Sequence, residues 1–336
     1  MGDRQDRIKA LVTGGGGFLG GAIVRQLLEK GHSVRSFSRG AYPELARLGV
    51  EQIRGDLADG EAVKRASAGC TTVFHVAAKW GMTGEYSEYY RANVVGTANV
   101  IEACRHHEIR KLVFTSSPSV VFDGKDMEGA DESVPYPSSY KAAYPKTKAL
   151  SEQLVLASND DELATVALRP HLIWGPRDTQ LVPGILDRGR KGRLLRIRGE
   201  PKLVDFTYIE DAAAAHLSAA ERLQVDSAIA GRVYFVTQDS PMVLWDFLDR
   251  VLAEAKLPRI RKSVSPRVAL TVGWLCENAY RLLPLKGEPP LTRFIAEELS
   301  TSHWFDISAA KRDLGYQPRF TMDEGFQELS QWLSEI

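Results

Sequence analysis

Tyr144 and Lys148 lie four positions apart and have the side-chain types of an acid–base pair. Residues at positions i and i+4 share one face of a helix, and the segment 139–158 has a helical pattern of apolar residues. An ammonium group close to a phenol favours the phenolate, so we expect Lys148 to lower the pKa of Tyr144 from its ordinary value near ~10. The pair therefore predicts a side chain that exchanges a proton at neutral pH.

Ser117 is the expected third member of this site. It ends the apolar run KLVFTSS, which is typical of a buried strand. The carboxyl ends of parallel strands are where α/β sheets bind ligands, so Ser117 is placed to donate a hydrogen bond to a substrate carbonyl. The alternative is a Tyr/Lys pair on a helix surface without chemistry, which the position of the serine at a strand end disfavours.

The elements that must position these residues alternate along the first half of the chain. Short apolar runs that favour strands occupy 8–14, 33–39, 71–78, 111–117 and 164–170. Helical patterns lie between them at 18–31, 60–69, 90–108 and 139–158. This alternation predicts an α/β fold in which a doubly wound parallel sheet of the Rossmann type carries helices on both faces.

The run TGGGGFLGG follows the first predicted strand and opens the first predicted helix. Gly14, Gly17 and Gly20 have the spacing of a dinucleotide-binding turn. The first glycine permits a tight turn, the second lets the backbone approach a pyrophosphate, and the third packs helix against strand. The phosphates would then meet backbone amides at the helix start, around Phe18 and Leu19. A P-loop is excluded because no GK[ST] follows.

The end of the second predicted strand indicates which dinucleotide binds. An acidic residue there usually binds the adenosine ribose 2′-hydroxyl, but this chain has Ser38 and Arg39. An arginine pairs with a 2′-phosphate, so the sequence favours NADP(H) over NAD(H); the alternative is that Arg39 is only a surface residue. Further cofactor contacts are expected near the ends of the following strands, at Asp56, Leu57, Ala77, Ala78 and Lys79.

The regular alternation ends after residue 175. We predict a discontinuous dinucleotide-binding domain of residues 1–175 and 202–240. A smaller, mostly helical C-terminal substrate-binding cap would comprise 176–201 and 241–310, and a tail, 311–336, would pack on the core.

Composition limits the classes of partner. The chain has 336 residues and a formal net charge of zero, so it lacks an overall electrostatic footprint for nucleic acid. The basic run 187–199 has no interleaved aromatic residues, and we interpret it as a solvated or phosphate-facing loop. Three widely spaced cysteines and seven histidines without ligand spacing predict no metal site. The charged first ten residues lack the apolar run of a secretory signal, and we expect a cytoplasmic protein.

The segment 263–285 is apolar but interrupted by charges. Its longest uncharged stretch, Val268 to Cys276, is far shorter than the ~20 residues needed to span a bilayer. We interpret the segment as a buried or cap helix. The alternatives are an apolar lid over a hydrophobic substrate and at most a peripheral contact with a membrane surface.

Together these motifs resemble the extended short-chain dehydrogenase/reductases. The resemblance adds NVVGT, which begins at Asn93, the stretch LRPHLIWGP and the C-terminal FDISAAKRDLGYQP, so it covers essentially the whole chain. Within that superfamily the chain is most similar to the 3β-hydroxysteroid dehydrogenase-type branch. The stretches RGAYPELARLGVEQIRGDLAD and GEPPLTRFIAEELSTSHW resemble the bacterial 2-alkyl-3-oxoalkanoate reductases of long-chain olefin biosynthesis.

The resemblance implies hydride transfer between NADP(H) and a carbonyl carbon. Tyr144 would give the proton to the ketone oxygen, Lys148 would tune Tyr144 and hold the nicotinamide ribose, and Ser117 would orient the carbonyl. Asn93 would support the site through its helix and organise a proton-relay water. Pro170 and the backbone after it would bound the nicotinamide.

The implied substrate is a hydrophobic β-keto acid, a 2-alkyl-3-oxoalkanoate, reduced to the β-hydroxy acid. The alternative substrate is a sterol or steroid 3-hydroxyl, oxidised with or without decarboxylation of a carboxyl at the neighbouring carbon. A non-catalytic dinucleotide-sensing regulator is disfavoured because the Tyr/Lys pair is present. His171 and Trp174 either touch substrate or pack in the core or cap.

The resemblance also implies a homodimer paired through the helices at 90–108 and 139–158. Other enzymes of a lipid or olefin pathway are further expected partners, since they would hand over an insoluble keto acid.

Overall fold

The structure of the protein is a computed structural model that describes residues 7–81, 84–283, 287 and 289–335. The charged start of the chain, residues 1–6, lies outside these residues. So do 284 and 285 at the end of the apolar segment.

The strands in the described part of the chain are short, and their bounds are as follows: β1 Lys9–Thr13, β2 Ser33–Ser38, β3 Glu51–Arg54, β4 Thr72–His75, β5 Lys111–Thr115, β6 Met127–Ala130, β7 Ala164–Pro170, β8 Ile173–Trp174, β9 Arg196–Ile197, β10 Leu203–Val204, β11 Thr207–Tyr208, β12 Arg232–Val236, β13 Met242–Val243, β14 Ser263–Val264 and β15 His303–Phe305.

The described α-helices have these bounds: α1 Phe18–Glu29, α2 Pro43–Arg47, α3 Gly60–Ser67, α4 Tyr86–Tyr89, α5 Gly96–His106, α6 Ala143–Ala157, α7 Leu181–Arg190, α8 Ile209–Arg222, α9 Leu244–Glu254, α10 Pro266–Leu282, α11 Arg293–Glu298, α12 Ser308–Leu314 and α13 Met322–Glu335. A π-helical segment, Tyr90–Val95, joins α4 to α5, and a 3₁₀ turn, Pro118–Val120, follows β5.

Seven parallel strands form the central sheet in the order β12-β7-β5-β4-β1-β2-β3. The order reverses direction between β1 and β4, and ligands of doubly wound sheets bind in the crevice outside the strand ends at such a point. Thr13 at the end of β1 pairs with Phe37 and His75 of its two neighbours. The predicted doubly wound parallel sheet is confirmed.

Helices cover both faces of this sheet because its strands alternate their side chains between two cores. In β1, Val12 packs in the larger core with Ile23 of α1 and Ala213 of α8. Its neighbour Leu11 points into a second core with Val100 of α5. Both β1 residues are fully buried, as strands covered on two sides should be.

The sequence did not predict β3 or α2. β3 is one of the two edge strands, and its sequence EQIR is only partly buried, so it lacks the apolar run that identified the inner strands. The predicted helix at 90–108 also differs, because its first part is π-helical. In that segment the side chains of Asn93 and Val94 are buried.

The C-terminal half adds most of the remaining helices and three strands of a second sheet, whose fourth strand is β6. β13, β10, β15 and β6 form a four-stranded sheet, and α13 returns to the core. There Phe326 packs against Trp174 with ring centroids 4.5 Å apart. No helix of the described residues is both long enough and apolar enough to cross a bilayer.

Candidate active site

Ser117, Tyr144 and Lys148 come together beside the carboxyl end of β5. Tyr144 lies in the first turn of α6 and Lys148 one turn later. Ser117 directly precedes the 3₁₀ turn after β5, and its hydroxyl acts on the Tyr144 phenol, whose pKa it lowers. It also lies 2.9 Å from Ser119 Oγ and accepts a hydrogen bond from Ser119 N at 3.2 Å. The strand end and the helix thus present two hydroxyl groups to one point.

Lys148 is held by the end of the same strand. Its Nζ donates a 2.6 Å hydrogen bond to the Thr115 carbonyl oxygen and lies 4.1 Å from the centroid of the Phe114 ring. The side chain is 3% exposed, and this burial lowers its pKa to about 7. The Glu152 carboxylate opposes that shift but does not cancel it.

The ionisation of Tyr144 differs from our expectation. Burial raises the pKa of Tyr144 to about 12, the hydrogen bond with Ser117 acts in the opposite direction, and the Glu298 charge raises the pKa further. The net shift is therefore upward, opposite to the lowering that we expected from Lys148, and the Lys148 Nζ donates its hydrogen bond to the Thr115 carbonyl. The phenol therefore keeps its proton at neutral pH, which is the form that a general acid requires.

Asn93 links α6 to the loop after β4. Its side-chain Oδ1 accepts a hydrogen bond from Lys79 N at 2.7 Å, and its Nδ2 donates to the Lys79 carbonyl at 3.0 Å. The same Nδ2 lies 3.0 Å from Thr147 Oγ1, directly beside Lys148 in the chain. The buried amide therefore fixes the backbone after Ala77 and Ala78 relative to the catalytic helix.

The glycine turn has the geometry that its spacing predicts. Gly14 has a φ of +71°, and its N–H donates to the Phe37 carbonyl at 2.8 Å. A Cβ on Gly20 would lie 2.1 Å from the Gly14 carbonyl oxygen, so only glycine fits there. α1 begins at Phe18 after Gly17, with no side chain capping its first N–H groups. Those groups and the N–H of Leu19 remain available to an anion.

Gly15 and Gly16 are also constrained. A Cβ on Gly15 would lie 2.6 Å from Ser36 Oγ, and a Cβ on Gly16 would lie 2.2 Å from the Tyr42 ring. Tyr42 thus covers the turn, and a groove of about 250 Å³ runs between them. The motif does not require these two glycines, but the packing does.

A buried hydrogen-bonded chain supports the turn from below. Thr13 Oγ1 accepts from the N–H groups of Val76 and Ala77, both at 3.1 Å, and so directs its own proton to His75 Nδ1 at 2.8 Å. His75 Nε2 lies 2.9 Å from Thr97 Oγ1, which donates to the Asn93 carbonyl. Burial lowers the pKa of His75 to about 3, so the ring is neutral. No pattern in the sequence indicated this role for His75.

The residues expected at the adenosine end lie at the ends of β2 and β3. Arg39 is exposed, and among the described residues nothing pairs with its guanidinium. Ser38 Oγ is buried without a hydrogen-bond partner in that part of the chain. Asp56 accepts from Ala58 N at 3.0 Å and lies 3.5 Å from an Arg91 nitrogen. Leu57 packs under α5, where a Cβ on Gly96 would approach it to 2.8 Å.

The residues expected on the substrate side are all buried, but each has different neighbours. Pro170 ends β7 and is buried. Trp174 has no exposed surface and packs against Tyr208, Phe247 and Phe326, so it takes the core-packing alternative. His171 is buried too, and its Nε2 lies 2.6 Å from His303 Nδ1.

His303 and Glu298 are site neighbours that the sequence analysis missed. His303 Nε2 lies 3.0 Å from the Glu298 carbonyl oxygen, and the Glu298 charge acts on Tyr144. Burial raises the pKa of Glu298 to about 8 and lowers that of His303. Both groups therefore favour their neutral forms. Because Glu298 meets Tyr144, and His303 meets His171, only in the folded chain, no local pattern marks either residue. The described residues contain no cluster of His, Cys, Asp or Glu suited to a metal ion.

Replacing Glu298 by glutamine is expected to stabilise the protein at alkaline pH. The carboxyl has a folded pKa of about 8, against an ordinary 4.5, so its stability contribution is fully present below pH 4.5 and is lost as pH rises through 8. At about pH 9, Glu298→Gln should gain about 1 kcal/mol or more over wild type, and at about pH 5 much less.

Urea unfolding at the two pH values measures this difference. The matched control is Glu297→Gln, because Glu297 forms an ion pair with Lys141 and should gain nothing at either pH. An equal gain for both variants would show that the burial of Glu298 is not the cause.

The central sheet, the glycine turn and the Tyr144 and Lys148 side chains beside β5 are those of an oxidoreductase on a Rossmann-type fold. Residues 11–265 match the 3-beta hydroxysteroid dehydrogenase/isomerase family, and the chain belongs to that family. This confirms the resemblance drawn from the motifs.

The individual proteins that the chain resembles carry the names of different enzymes. The chain is 50% identical over 325 residues to the 2-alkyl-3-oxoalkanoate reductase of Stenotrophomonas maltophilia (strain K279a), covering 96% of this chain and 98% of that protein. It is 36% identical over 328 residues to the decarboxylating sterol-4-alpha-carboxylate 3-dehydrogenase of Mus musculus, covering 96% and 90%. Among solved structures, the UDP-glucose 4-epimerase of Thermus thermophilus in complex with NAD matches with a TM-score of 0.74 at 24% identity, covering 97% and 99%. This last match supports the fold alone.

Proposed function

We propose that this protein is an NADP(H)-dependent reductase that converts the ketone of a hydrophobic β-keto acid, a 2-alkyl-3-oxoalkanoate, into the β-hydroxy acid. The observation that carries the proposal is the Tyr144 phenol, which keeps its proton at neutral pH and lies close enough to Ser117 for that hydroxyl to lower its pKa, one helical turn before the buried Lys148. The substrate class is taken from the 50% identical reductase.

The residues present fit a dinucleotide. A Cβ at Gly20 would fill the turn, and α1 begins with uncapped N–H groups that suit a pyrophosphate. Arg39 is exposed beside the partnerless hydroxyl of Ser38, which suits a 2′-phosphate. Bound NADPH supplies the hydride. The Lys148 ammonium is the group that would hold the nicotinamide ribose.

The chain's own residues handle the ketone oxygen. Ser117 would donate a hydrogen bond that orients the carbonyl, and the Tyr144 hydroxyl would transfer its proton to that oxygen as the carbonyl carbon is reduced. Lys148, beside the phenol on the same helix face, would favour the resulting phenolate while it lasts. Asn93 fixes α6 against the loop after β4 and so maintains the geometry.

The direct test is to follow NADPH oxidation with a long-chain 2-alkyl-3-keto acid, or NADP⁺ reduction with the corresponding hydroxy acid. Turnover of the keto acid with little activity on sterols supports the proposal. Activity confined to a 4-carboxysterol would instead assign the chain to the function of its 36% identical relative.

Replacing Arg39 by alanine is expected to change the cofactor preference. The exposed guanidinium forms no ion pair with any described residue. Its removal therefore breaks no such contact, and the variant should fold normally. Loss of a charge-assisted contact to the 2′-phosphate should raise KM for NADPH about tenfold or more, and KM for NADH should change little. Steady-state kinetics with both cofactors measures the ratio. Arg47→Ala, on the neighbouring α2, is the matched control; equal effects from both variants would contradict the assignment.

We also propose a homodimer paired through α5, α6 and the π-helical segment. Exposed apolar side chains on or beside these helices support it, namely Tyr86, Tyr90 and Leu154. Sedimentation of the wild-type protein should give twice the monomer mass, and sedimentation of Leu154→Glu should give the monomer mass.

A further inference from the structure

The outward face of α10 is apolar. This 17-residue helix buries only Ala269 and Gly273. The exposed fractions along its outer side are 48% for Val268, 41% for Val272, 49% for Trp274, 53% for Leu275 and 74% for Leu282. Helices on a protein surface normally turn polar residues outward, so we expect this face to contact a partner.

The apolar face is not what holds α10 in the fold. The opposite side of the helix packs on α11, where a Cβ on Gly273 would lie 2.7 Å from the Thr292 carbonyl carbon. Glu277 accepts hydrogen bonds from Arg293 N and Nε, both at 2.7 Å. The exposed residues therefore remain available while the helix stays docked.

A dense positive patch adjoins this face. β9 and β14 pair in parallel, which brings the basic segments 188–199 and 257–267 side by side, and neither segment contains an acidic residue. Arg196 is neutralised by Asp249, and Lys191 by Asp187. Eight further exposed cations form no ion pair with any described residue: Arg188, Arg190, Arg193, Arg198, Arg259, Arg261, Lys262 and Arg267. The chain as a whole has a net charge of zero, so this patch is a local excess.

The patch and the apolar face are continuous. β14 ends at Val264, the Ser265 hydroxyl accepts a hydrogen bond from Val268 N at the start of α10, and Arg267 lies in the first turn. Trp274 and Arg281 continue along the same outer side of the helix. Apolar residues with tryptophan and flanking cations are the chemistry of a helix that lies in a membrane interface.

We propose that α10, with the basic strands β9 and β14, docks this protein on an anionic lipid surface. The helix would lie in the plane of the bilayer, with its apolar residues among the acyl chains and the cations at the headgroups. Each cation near such a surface adds to the attraction, and eight cations without an ion pair among the described residues are present here. The inference does not depend on which substrate is reduced.

The charge distribution argues against a second copy of this chain as the occupant. A twofold contact places the same patch of each subunit against the other, and two unpaired basic patches would then repel one another. α10 also packs on α11, and α11 carries Glu298 beside Tyr144. Docking through α10 would therefore bring the lipid surface close to the catalytic cleft.

The test is cosedimentation of the full chain with vesicles of pure phosphatidylcholine and with an equal mixture of phosphatidylcholine and phosphatidylglycerol. We expect binding to the mixed vesicles only, weakened at least tenfold by Leu275→Ser with Leu282→Ser, and also by Arg261→Glu with Lys262→Glu. All four side chains are exposed, so the variants should keep the thermal stability of wild type. Leu48→Ser and Arg47→Glu, an exposed leucine and a basic residue at α2, are the controls and should bind normally.

Three outcomes would overturn the proposal. They are no binding to the mixed vesicles, equal weakening by the control variants, and a wild-type oligomer that the Leu275 and Leu282 variant dissociates. The first of these outcomes, together with binding of an acidic protein that the same substitutions weaken, would assign the surface to a protein partner instead.

Discussion

Replacing Tyr144 by phenylalanine should lower kcat about 10²–10⁴-fold, the range that a positioned general acid supplies. The variant removes one hydroxyl and keeps the ring that packs against its surroundings. Ser117 would retain its hydrogen bond with Ser119, so the carbonyl would still be oriented but would lack a proton donor. KM for NADPH should change little, because the ring and Lys148 remain in place.

Tyr140→Phe is the matched control for this experiment. Tyr140 lies four positions before Tyr144, and its hydroxyl donates to the Val120 carbonyl at 2.8 Å rather than facing Ser117. Its loss should reduce stability by about 1 kcal/mol and leave kcat within a fewfold of wild type. A Tyr144→Phe enzyme with the full rate, or an equal loss of kcat in both variants, would remove Tyr144 from the role of acid.

Burial determines which groups of this site carry a proton at neutral pH. It raises the pKa of Tyr144 and of Glu298 and lowers that of Lys148 and of His75. In every case the uncharged form is favoured, as desolvation requires. The phenol keeps a proton to give, and Lys148, with a pKa of about 7, gains or loses its charge near neutral pH.

The turnover rate of the wild-type enzyme should therefore change with pH around 7, where Lys148 gains or loses its charge. This pH dependence should disappear in Lys148→Met.

The sequence predicted those parts of the fold and site that depend on local spacing. Gly14, Gly17 and Gly20 are fixed by the geometry of one turn, and Tyr144 and Lys148 by one helical repeat. Buried strands are recognisable by their apolar runs, which is why β3, a half-exposed edge strand with a single apolar residue, went unrecognised.

The remaining features arise only when distant segments meet. Glu298 approaches Tyr144 of α6 across more than 150 positions of the chain, and Thr13 reaches Thr97 through His75. The expected lowering of the Tyr144 pKa by Lys148 failed for the same reason. Helical spacing placed both groups on one face, but the burial that raises the pKa of Tyr144 arises only when other elements pack around α6.

Replacing Gly20 by alanine should destabilise the fold and abolish cofactor binding together. The new Cβ would lie 2.1 Å from the Gly14 carbonyl oxygen and 2.7 Å from its carbon, and both are backbone atoms that cannot rotate away. Relief requires α1 to move off the turn, at a cost of about 1–3 kcal/mol for overpacking of this kind. The same movement separates the helix N-terminus from Gly14, so the dissociation constant for NADPH should rise more than tenfold.

Gly21→Ala isolates the cause, because it makes the same chemical change one position later. A Cβ there would have no neighbour closer than 3.6 Å, and alanine favours a helix interior over glycine by about 1 kcal/mol. This variant should unfold at the same or a higher urea concentration than wild type and bind NADPH normally, as judged by cofactor fluorescence. If Gly20→Ala matched it in both measurements, close packing of α1 on the turn would not be what shapes the cofactor site.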